Sequence, residues 1–417
     1  MISNLFPPVV RGGYELLCAE AVNGLRDGHE VLVLSSRAGS DVPPEPHVVR
    51  ELEWLEQGPR GALRAPAASV RAARTTRALL ASFEPDLVFV WNGAHIPRAA
   101  LWVAEQSGAA IAYSVAEHWF ARLYMSDQFT RYLLPGERGL RALWGRVVRV
   151  ANRHPALRLD VQRPMPASIA WISDALRRTG PPPTITPVVE RVIHPAPIAP
   201  ERWASVVRQP ASAPPTIAFV GRVEQQKGPA VAYRAVAELR DRHRLDVRLE
   251  LAGGVEPAQG TELDRLAAEL GIADRVTLDG QLDHEAVRSL LGRASALVVP
   301  STWEEPFGLV LLEGALARVP VVASWSGGMP EALHEERHAL SFPSGDAGAC
   351  ADALARVLTR PSETQARIER AFERACRFSS RRYRAQLDHF ALDAVAAHEH
   401  RLQGGQLGPQ PVRWGGR

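Results

Sequence analysis

Two successive series of short apolar runs separated by helical segments constrain this chain more than any other feature. In the first half, Val31–Ser35, Leu87–Val90 and Ala110–Val115 have the pattern of buried strands. The second series starts at Thr216–Val220 and repeats strand and helix through Ala296–Val299. Strands that alternate with helices form parallel sheets covered by helices. The sequence therefore predicts an α/β protein with two doubly wound domains, and 417 residues suffice for two cores.

A proline-rich stretch between residues 181 and 215 separates the two series. If the two domains face each other, a ligand cleft should lie between them, at the carboxyl ends of the strands. Met1–Asn4 has the pattern of only the end of a strand, so the first strand is short or the chain starts upstream. We predict a first domain at 1–190, a second at 191–378, a helix at 379–402 that packs back on the first domain, and a disordered Gly/Gln/Pro tail at 403–417.

Charge and cysteine content exclude some classes of protein. The chain has 49 basic and 46 acidic residues, and a net charge of only +3 argues against a nucleic-acid partner. Cys18, Cys350 and Cys376 lie far apart without metal-ligand spacing, which predicts buried thiols in a reducing compartment. No apolar run is long enough for a membrane-spanning helix. We expect a cytoplasmic protein.

The region from Phe120 to Pro166 is predicted to be helical and rich in arginine. Its apolar stripe lies between arginines and consists of Leu140, Leu143, Trp144, Val147 and Val148. A basic amphipathic helix of this kind can contact an anionic membrane surface, here the inner face. The more common meaning of the pattern is a domain helix with a solvated basic face. The sequence favours the second meaning and leaves peripheral membrane contact open.

The segment 300–313, PSTWEEPFGLVLLE, contains the end of a buried strand, a turn and a helix that starts near Gly308. Free N–H groups at a helix N-terminus bind anions, and a glycine there allows a phosphate to approach the backbone. Glu305 precedes the helix and Glu313 lies within it, and each carboxylate can accept hydrogen bonds from two sugar hydroxyls. The segment indicates a site for a sugar diphosphate; an ordinary helix start with a surface glutamate is the alternative.

A second segment, VGRVEQQKG at 220–228, has the pattern of a strand, a glycine turn and a helix start. Arg222 and Lys227 would bring two cations to the carboxyl end of the strand. Lys227 is the only lysine in the chain, which suggests that a compact charge is needed there. The alternative is an ordinary turn with solvated basic residues.

A third segment, after the first strand, contains Gly12 and Gly13 at a helix start. Such a pair would let a phosphate or an acceptor approach the backbone, but taken alone it is weak evidence for a site.

Together these segments resemble glycosyltransferase family 4, a group of retaining enzymes that use nucleotide sugars and have the GT-B fold of two facing Rossmann-like domains. The resemblance covers nearly the whole chain and is specific in the second half, where Glu305 and Glu313 have the Glu-x7-Glu spacing. It includes Gly12-Gly13-x-Glu15, Gly28-His29-Glu30-Val31, Pro85-Asp86-Leu87-Val88, Gly221-Arg222, Lys227-Gly228, Pro300-Ser301 and Gly327-Gly328-Met329-Pro330-Glu331.

The resemblance implies a role for each site residue. Arg222 and Lys227 would neutralise the diphosphate of the donor, Glu313 would bind the ribose and Glu305 the transferred sugar. The predicted catalytic residues are Glu305, Arg222, Lys227 and His118, and the predicted donor-binding residues are Gly12, Gly13, Arg222, Lys227, Glu305, Gly308, Leu309 and Glu313. The partners would be a nucleotide-diphosphate sugar and a hydroxyl-bearing acceptor. Because the chain has no Asp-x-Asp motif, we expect no metal, and no cofactor beyond the nucleotide sugar as co-substrate.

One segment departs from the family pattern. Family members often have a histidine near the reacting anomeric carbon, but direct register places Ala116 there and moves the histidine to His118. A bulge would return His118 to the site; otherwise Glu117 or His118 contacts the acceptor, or the site is weakened. Arg318 is a second departure, since glycine would be typical at that position.

Two rival functions stay open beside a retaining hexosyl transferase. A nucleotide-sugar 2-epimerase of the same fold would convert its donor without an acceptor. A degenerate non-enzyme would bind nucleotide and never turn over, as Ala116 would allow. A nicotinamide dehydrogenase is disfavoured, because neither first strand is followed by a Gly-x-Gly-x-x-Gly turn.

Overall fold

The structure is a computed structural model that describes residues 1–38, 43–56, 58–122, 140–153, 164–210 and 213–404. The chain divides into two compact units. Met1–Ile193 and the chain from Arg384 onward form unit 1, and His194–Tyr383 form unit 2.

Unit 1 contains a seven-stranded parallel sheet in the order β3-β2-β1-β4-β5-β6-β7. The strands are β1 Ile2–Ser3, β2 Val33–Ser36, β3 Val48–Leu52, β4 Leu87–Asn92, β5 Ala110–Val115, β6 Met165–Trp171 and β7 Ile185–Val192. All six residues of β5 are buried, because helices cover the centre of a parallel sheet on both faces. The first five helices are α1 Gly13–Leu25, α2 Pro59–Phe83, α3 Arg98–Glu105, α4 Leu140–Ala151 and α5 Asp174–Arg177.

Unit 2 contains a six-stranded parallel sheet in the order β10-β9-β8-β11-β12-β13. The strands are β8 Thr216–Val220, β9 Arg248–Ala252, β10 Val276–Gly280, β11 Ala296–Val299, β12 Val321–Ala323 and β13 Leu340–Ser341. The helices are α6 Pro200–Ala204, α7 Pro229–His243, α8 Pro257–Glu269, α9 His284–Arg293, α10 Leu309–Leu316, α11 Met329–Ala332, α12 Ala347–Thr359 and α13 Pro361–Ala375. The core of this unit lies between the sheet and α7, α8 and α12.

The last helix, α14 Ser380–Leu402, belongs to unit 1 from Arg384 onward. Phe390 packs against Phe89 of β4, with ring centroids 5.7 Å apart. Arg384 Nε donates a hydrogen bond to Glu20 of α1 at 2.9 Å. The helix therefore joins the core of unit 1 although almost two hundred residues separate it in sequence from the rest of that unit.

Two expectations about burial need correction. Cys18 and Cys350 are buried as predicted, but Cys376 is exposed, because it caps the end of α13 rather than facing the core. The apolar stripe of the arginine-rich helix does not form one buried face: Val148 is buried, whereas Leu143 and Val147 are exposed. Residues 123–139 and 154–163 of that region lie outside the described residues. Within the described residues, no helix is long and apolar enough to span a membrane.

Candidate functional site

The strand order of unit 2 reverses between β8 and β11. From β8 the chain proceeds outward to β9 and β10 on one side, and from β11 it proceeds to β12 and β13 on the other. Loops that leave the carboxyl ends of strands at such a reversal diverge and leave a crevice for ligands. Lys227 follows β8 and Glu305 follows β11, so the topology brings these two predicted residues to the same place.

The two loops are held together by backbone contacts. The Thr302 N–H donates a hydrogen bond to the Gln226 carbonyl oxygen at 2.8 Å. Gly228 has φ of 71°, and a Cβ atom there would lie 1.8 Å from the carbonyl oxygen of Pro300. Glycine is therefore required at residue 228 for both its left-handed backbone and the close approach of the second loop.

Glu305 is the centre of the site. Its carboxylate is buried and accepts hydrogen bonds from Lys227 Nζ at 2.7 and 3.0 Å, Ser301 Oγ at 2.6 Å and Trp303 Nε1 at 2.9 Å. Burial alone would raise the pKa of Glu305, but the Lys227 ammonium and these hydrogen bonds lower it below its usual value. Glu305 is thus a fixed, ionised acceptor.

A third loop, after β12, supports the backbone of Glu305. The Gly328 N–H donates to the Glu305 carbonyl oxygen at 2.7 Å, and Ser326 Oγ donates to the Trp303 carbonyl oxygen at 2.6 Å. Gly327 has φ of 59°, and a Cβ atom there would lie 2.2 Å from the same Glu305 oxygen. The Gly327-Gly328 pair noted in the sequence therefore positions Glu305.

Helix α10 begins directly beyond this carboxylate. Gly308 is its N-cap with φ of 86°, and no side chain caps the helix. The first-turn N–H groups of Leu309 and Val310 have no intrahelical partner, and the helix dipole adds positive charge at this end. The start of α10 can therefore bind an anionic group, as predicted for Gly308 and Leu309.

Glu313 lies one turn into α10 and is only partly exposed. Within the described residues its carboxylate forms no hydrogen bond or ion pair. Burial raises the pKa of Glu313 to about 7. A carboxylate with two free oxygens is suited to accept hydrogen bonds from a vicinal diol.

Arg222 follows β8 and pairs with Glu224, with 2.7 Å between Nη1 and Oε1. The second cation, Lys227, pairs with Glu305. Both positive charges of the site are therefore balanced by carboxylates of the protein. An incoming diphosphate would have to compete for these two cations.

The residues predicted in unit 1 lie at the carboxyl edge of its sheet. Gly12 is the N-cap of α1, and a Cβ atom there would meet no atom within 4 Å. The backbone N–H of Gly12 donates to Glu15 at 2.9 Å. His118 is partly exposed in the turn after β5, and Ala116 before it is buried.

Sequence reasoning gave no role to five residues at these edges. Ser301 and Trp303 both donate to Glu305, and their position inside the 300–313 segment is the signal that could have identified them. In unit 1, Arg11 lies over the ring of Trp54, which stacks on His95 with centroids 4.6 Å apart. These three residues follow three different strands, so no local sequence pattern connects them.

Comparison with known proteins finds a family match for the segment that contains Arg222, Lys227, Glu305 and Glu313. Residues 204–374 match the family described as Glycosyl transferases group 1. The chain is 36% identical over 176 residues to a glycogen synthase from Mycobacterium tuberculosis, covering 42% of this chain and 41% of that protein. It is 38% identical over 167 residues to a D-inositol 3-phosphate glycosyltransferase from Corynebacterium jeikeium, covering 39% of this chain and 40% of that protein. The chain thus spans about two fifths of the length of these curated relatives.

Solved structures are similar over nearly the whole chain. A sucrose-phosphate synthase from Thermosynechococcus elongatus has a TM-score of 0.68 at 21% identity, covering 95% of this chain and 98% of that one. The Anabaena protein HepE, solved with UDP and glucose, has a TM-score of 0.58 at 17% identity, with 97% of each chain covered. These likenesses confirm the predicted fold class of two Rossmann-like α/β units, the GT-B fold.

Proposed function

We propose that this chain is a retaining glycosyltransferase of the family 4 type that transfers a sugar from a nucleotide-diphosphate sugar to an acceptor hydroxyl. The observation that carries the proposal is the cluster of Lys227, Glu305 and the uncapped start of α10 at the strand reversal of unit 2. The cluster lies inside the segment that matches glycosyl transferases. The structures of HepE with UDP and with UDP-glucose support the class of donor.

Each part of the cluster suits one part of the donor. The start of α10, with Arg222 and Lys227, offers positive charge to the diphosphate. Glu305 would accept hydrogen bonds from the transferred sugar, and Glu313 from the ribose hydroxyls. In unit 1, Gly12 and Gly13 stay predictions for donor binding, and His118 stays a prediction for catalysis.

The proposed reaction breaks the bond between the anomeric carbon and the diphosphate oxygen. The acceptor oxygen then bonds to the same face of that carbon, and its proton passes to the departing phosphate. Charge accumulates on the leaving diphosphate, so fixed cations and backbone N–H groups directed at it would lower the barrier most. We propose that these groups do so without a metal ion or a further cofactor.

The Lys227–Glu305 pair must rearrange for this reaction. In the structure, Glu305 neutralises Lys227. When a diphosphate binds, the ammonium can move to the phosphate oxygens and release the Glu305 oxygens for sugar hydroxyls. The pair would therefore keep a buried carboxylate ionised and ready before the donor binds.

The first experiment is calorimetric titration of the protein with UDP, GDP and ADP and with their glucose conjugates. We expect one nucleotide to bind, and Glu313→Gln to weaken that binding because an NH2 donor replaces one of the two acceptor oxygens offered to the ribose. Binding by none of them would contradict the proposal of a donor site.

In a second experiment, the conjugate that binds is incubated with sugar and lipid acceptors, and NMR determines the anomeric configuration of the product. A donor altered at C2 without any acceptor would identify an epimerase, and binding without turnover a degenerate protein.

Lys227→Met tests the role of the cation. Loss of one charged group that stabilises the leaving group should lower the transfer rate by about 10²–10³-fold. The substitution also leaves Glu305 buried without its cation, which costs about 3–5 kcal/mol of folding free energy. The double variant Lys227→Met with Glu305→Gln is the control for folding, since it removes both charges. Transfer at the wild-type rate by Lys227→Met would refute the assignment.

A further inference from the structure

Helix α4 buries only one of its sides. Val148 and Trp144 pack into a cluster with Ala65 and Ala68 of α2 and Val103 of α3. Leu143, Val147 and Val150 are spaced by four and three residues and so share another side of the helix. Their exposed fractions are 58%, 47% and 64%. Three aliphatic side chains in a row therefore face solvent on α4.

Arginines lie beside this exposed stripe. Arg146, Arg149 and Arg153 are all exposed, and residues 140–153 contain no acidic residue. None of the three arginines forms an ion pair with a carboxylate of the described residues. Within the part of the chain that the structure describes, no carboxylate therefore balances their charge.

Helix α2, which shares the buried cluster with α4, shows the same combination. Arg60, Arg64 and Arg74 are exposed on one side of it, together with Leu63, which is 68% exposed. The whole of α2 lacks acidic residues, and of the exposed arginines on this side only Arg71 is paired, with Glu53. Elsewhere in the chain arginines are commonly paired, as Arg275 is with Asp246. We call these two exposed helix sides together the arginine face; its residues are Arg60, Leu63, Arg64, Arg74, Leu143, Arg146, Val147, Arg149, Val150 and Arg153.

The composition of the arginine face identifies its partner. It holds four of the eight large apolar side chains that are exposed within the described residues. A polyanion such as RNA would engage the guanidinium groups but leave these aliphatic side chains in water. At an anionic bilayer, aliphatic side chains enter the boundary between headgroups and acyl chains while guanidinium groups bind lipid phosphates. The net charge of the whole chain is only +3, so the positive charge of the arginine face is a local excess of arginine.

We propose that the arginine face docks this protein on a membrane surface rich in anionic phospholipid. Docking uses no residue of the donor site in unit 2 and goes beyond the proposed transfer reaction. Because one arginine near such a surface contributes a factor of about five to binding, the six arginines of this face together supply strong attraction. This attraction weakens with added salt.

Vesicle co-sedimentation of the full chain tests the proposal. The vesicles are phosphatidylcholine alone or with phosphatidylglycerol, each at low and high salt. We expect binding only to the phosphatidylglycerol vesicles, weakened by salt. Arg146→Gln with Arg149→Gln should lower the partition coefficient by about 25-fold. Leu143→Ser, Val147→Ser and Val150→Ser combined should also lower it, because these side chains would no longer enter the bilayer.

Matched controls lie in unit 2. Arg240→Gln with Arg275→Gln removes one exposed and one half-buried arginine, and Val207→Ser removes an exposed aliphatic side chain; both variants should bind vesicles like wild type. Nucleotide titration of every variant checks, independently of vesicle binding, that the variant is folded and keeps its donor site. Equal binding to both kinds of vesicle, no vesicle binding, or unchanged binding by either face variant would refute the proposal. Binding to poly(U) that survives the aliphatic substitutions while vesicle binding is absent would instead indicate an RNA surface.

Discussion

At the scale of single residues, burial of Glu313 disfavours the ionised form of its carboxyl group. Its pKa is raised by burial from 4.5 to about 7. Between these two values the folded protein retains a proton that the unfolded chain has released. The free energy of unfolding therefore falls as the pH rises through this window.

Glu313→Gln removes this dependence. We expect the variant to gain on the order of 3 kcal/mol of stability relative to wild type as the pH rises from below the unfolded pKa to above the folded one. Urea unfolding of both proteins across this range measures the difference. Glu373→Gln, at an exposed position of α13, is the control and should show no such gain. A constant difference between wild type and Glu313→Gln would show that Glu313 titrates normally.

Arg318 is a non-glycine residue with a backbone conformation that favours glycine. Its φ is 54°, in the left-handed region that favours glycine, which explains why glycine is the residue expected from the family pattern. The Arg318 guanidinium lies 3.6 Å from the ring centroid of Phe372 on α13. The contact with the aromatic ring offsets the strain of the backbone.

Two substitutions at residue 318 separate these effects. Arg318→Ala loses the aromatic contact but keeps the strain, whereas Arg318→Gly loses both. We expect the glycine variant to be more stable than the alanine variant by about 1 kcal/mol, measured by thermal unfolding. The reverse order would mean that the backbone at residue 318 is not strained.

At the scale of elements, the site depends on how closely the loops after β8 and β11 approach each other. Gly228→Ala would force a Cβ atom against the Pro300 carbonyl and separate the loops. We expect it to abolish nucleotide binding and to cost more than about 2 kcal/mol of stability, measured by calorimetric titration and urea unfolding.

Gly280→Ala is the matched control for this change. Gly280 has φ of 69°, almost the same as Gly228, but a Cβ atom there would meet nothing within 4 Å. It should cost about 1 kcal/mol and leave nucleotide binding intact. Equal effects of the two substitutions would show that strain, and not the contact between the loops, matters at residue 228.

At the scale of the whole molecule, the end of the chain completes the first unit. Phe390 is buried against Phe89, and the same helix pairs Asp388 with His29 and Asp393 with Arg191. The exposed ion pairs contribute little, so the buried aromatic contact should dominate.

Phe390→Ala should therefore destabilise unit 1 by about 3–5 kcal/mol. Leu392→Ala, two residues further and 51% exposed, should change stability by less than about 0.5 kcal/mol. Urea unfolding followed by tryptophan fluorescence measures both. If the two variants were equally stable, α14 would not be part of the core of unit 1.

The sequence by itself determined the fold class and most element positions, because periodicity and turn residues act over short stretches of chain. Ala110–Val115 and Ala296–Val299 are strands with the predicted bounds, and α10 begins where Gly308 indicated. The 204–374 match agrees with the greater specificity of the motifs in the second half.

Tertiary structure alone decided which of these residues meet. Lys227 and Glu305 are 78 positions apart, and they pair because parallel strands β8 and β11 are neighbours that end at one edge. The Arg11, Trp54 and His95 stack arises in the same way from three separate loops. The apolar stripe of α4 contains both buried and exposed residues, because α2 and α3 cover only one side of that helix. Helical periodicity shows which residues share a side but cannot show which side other helices cover.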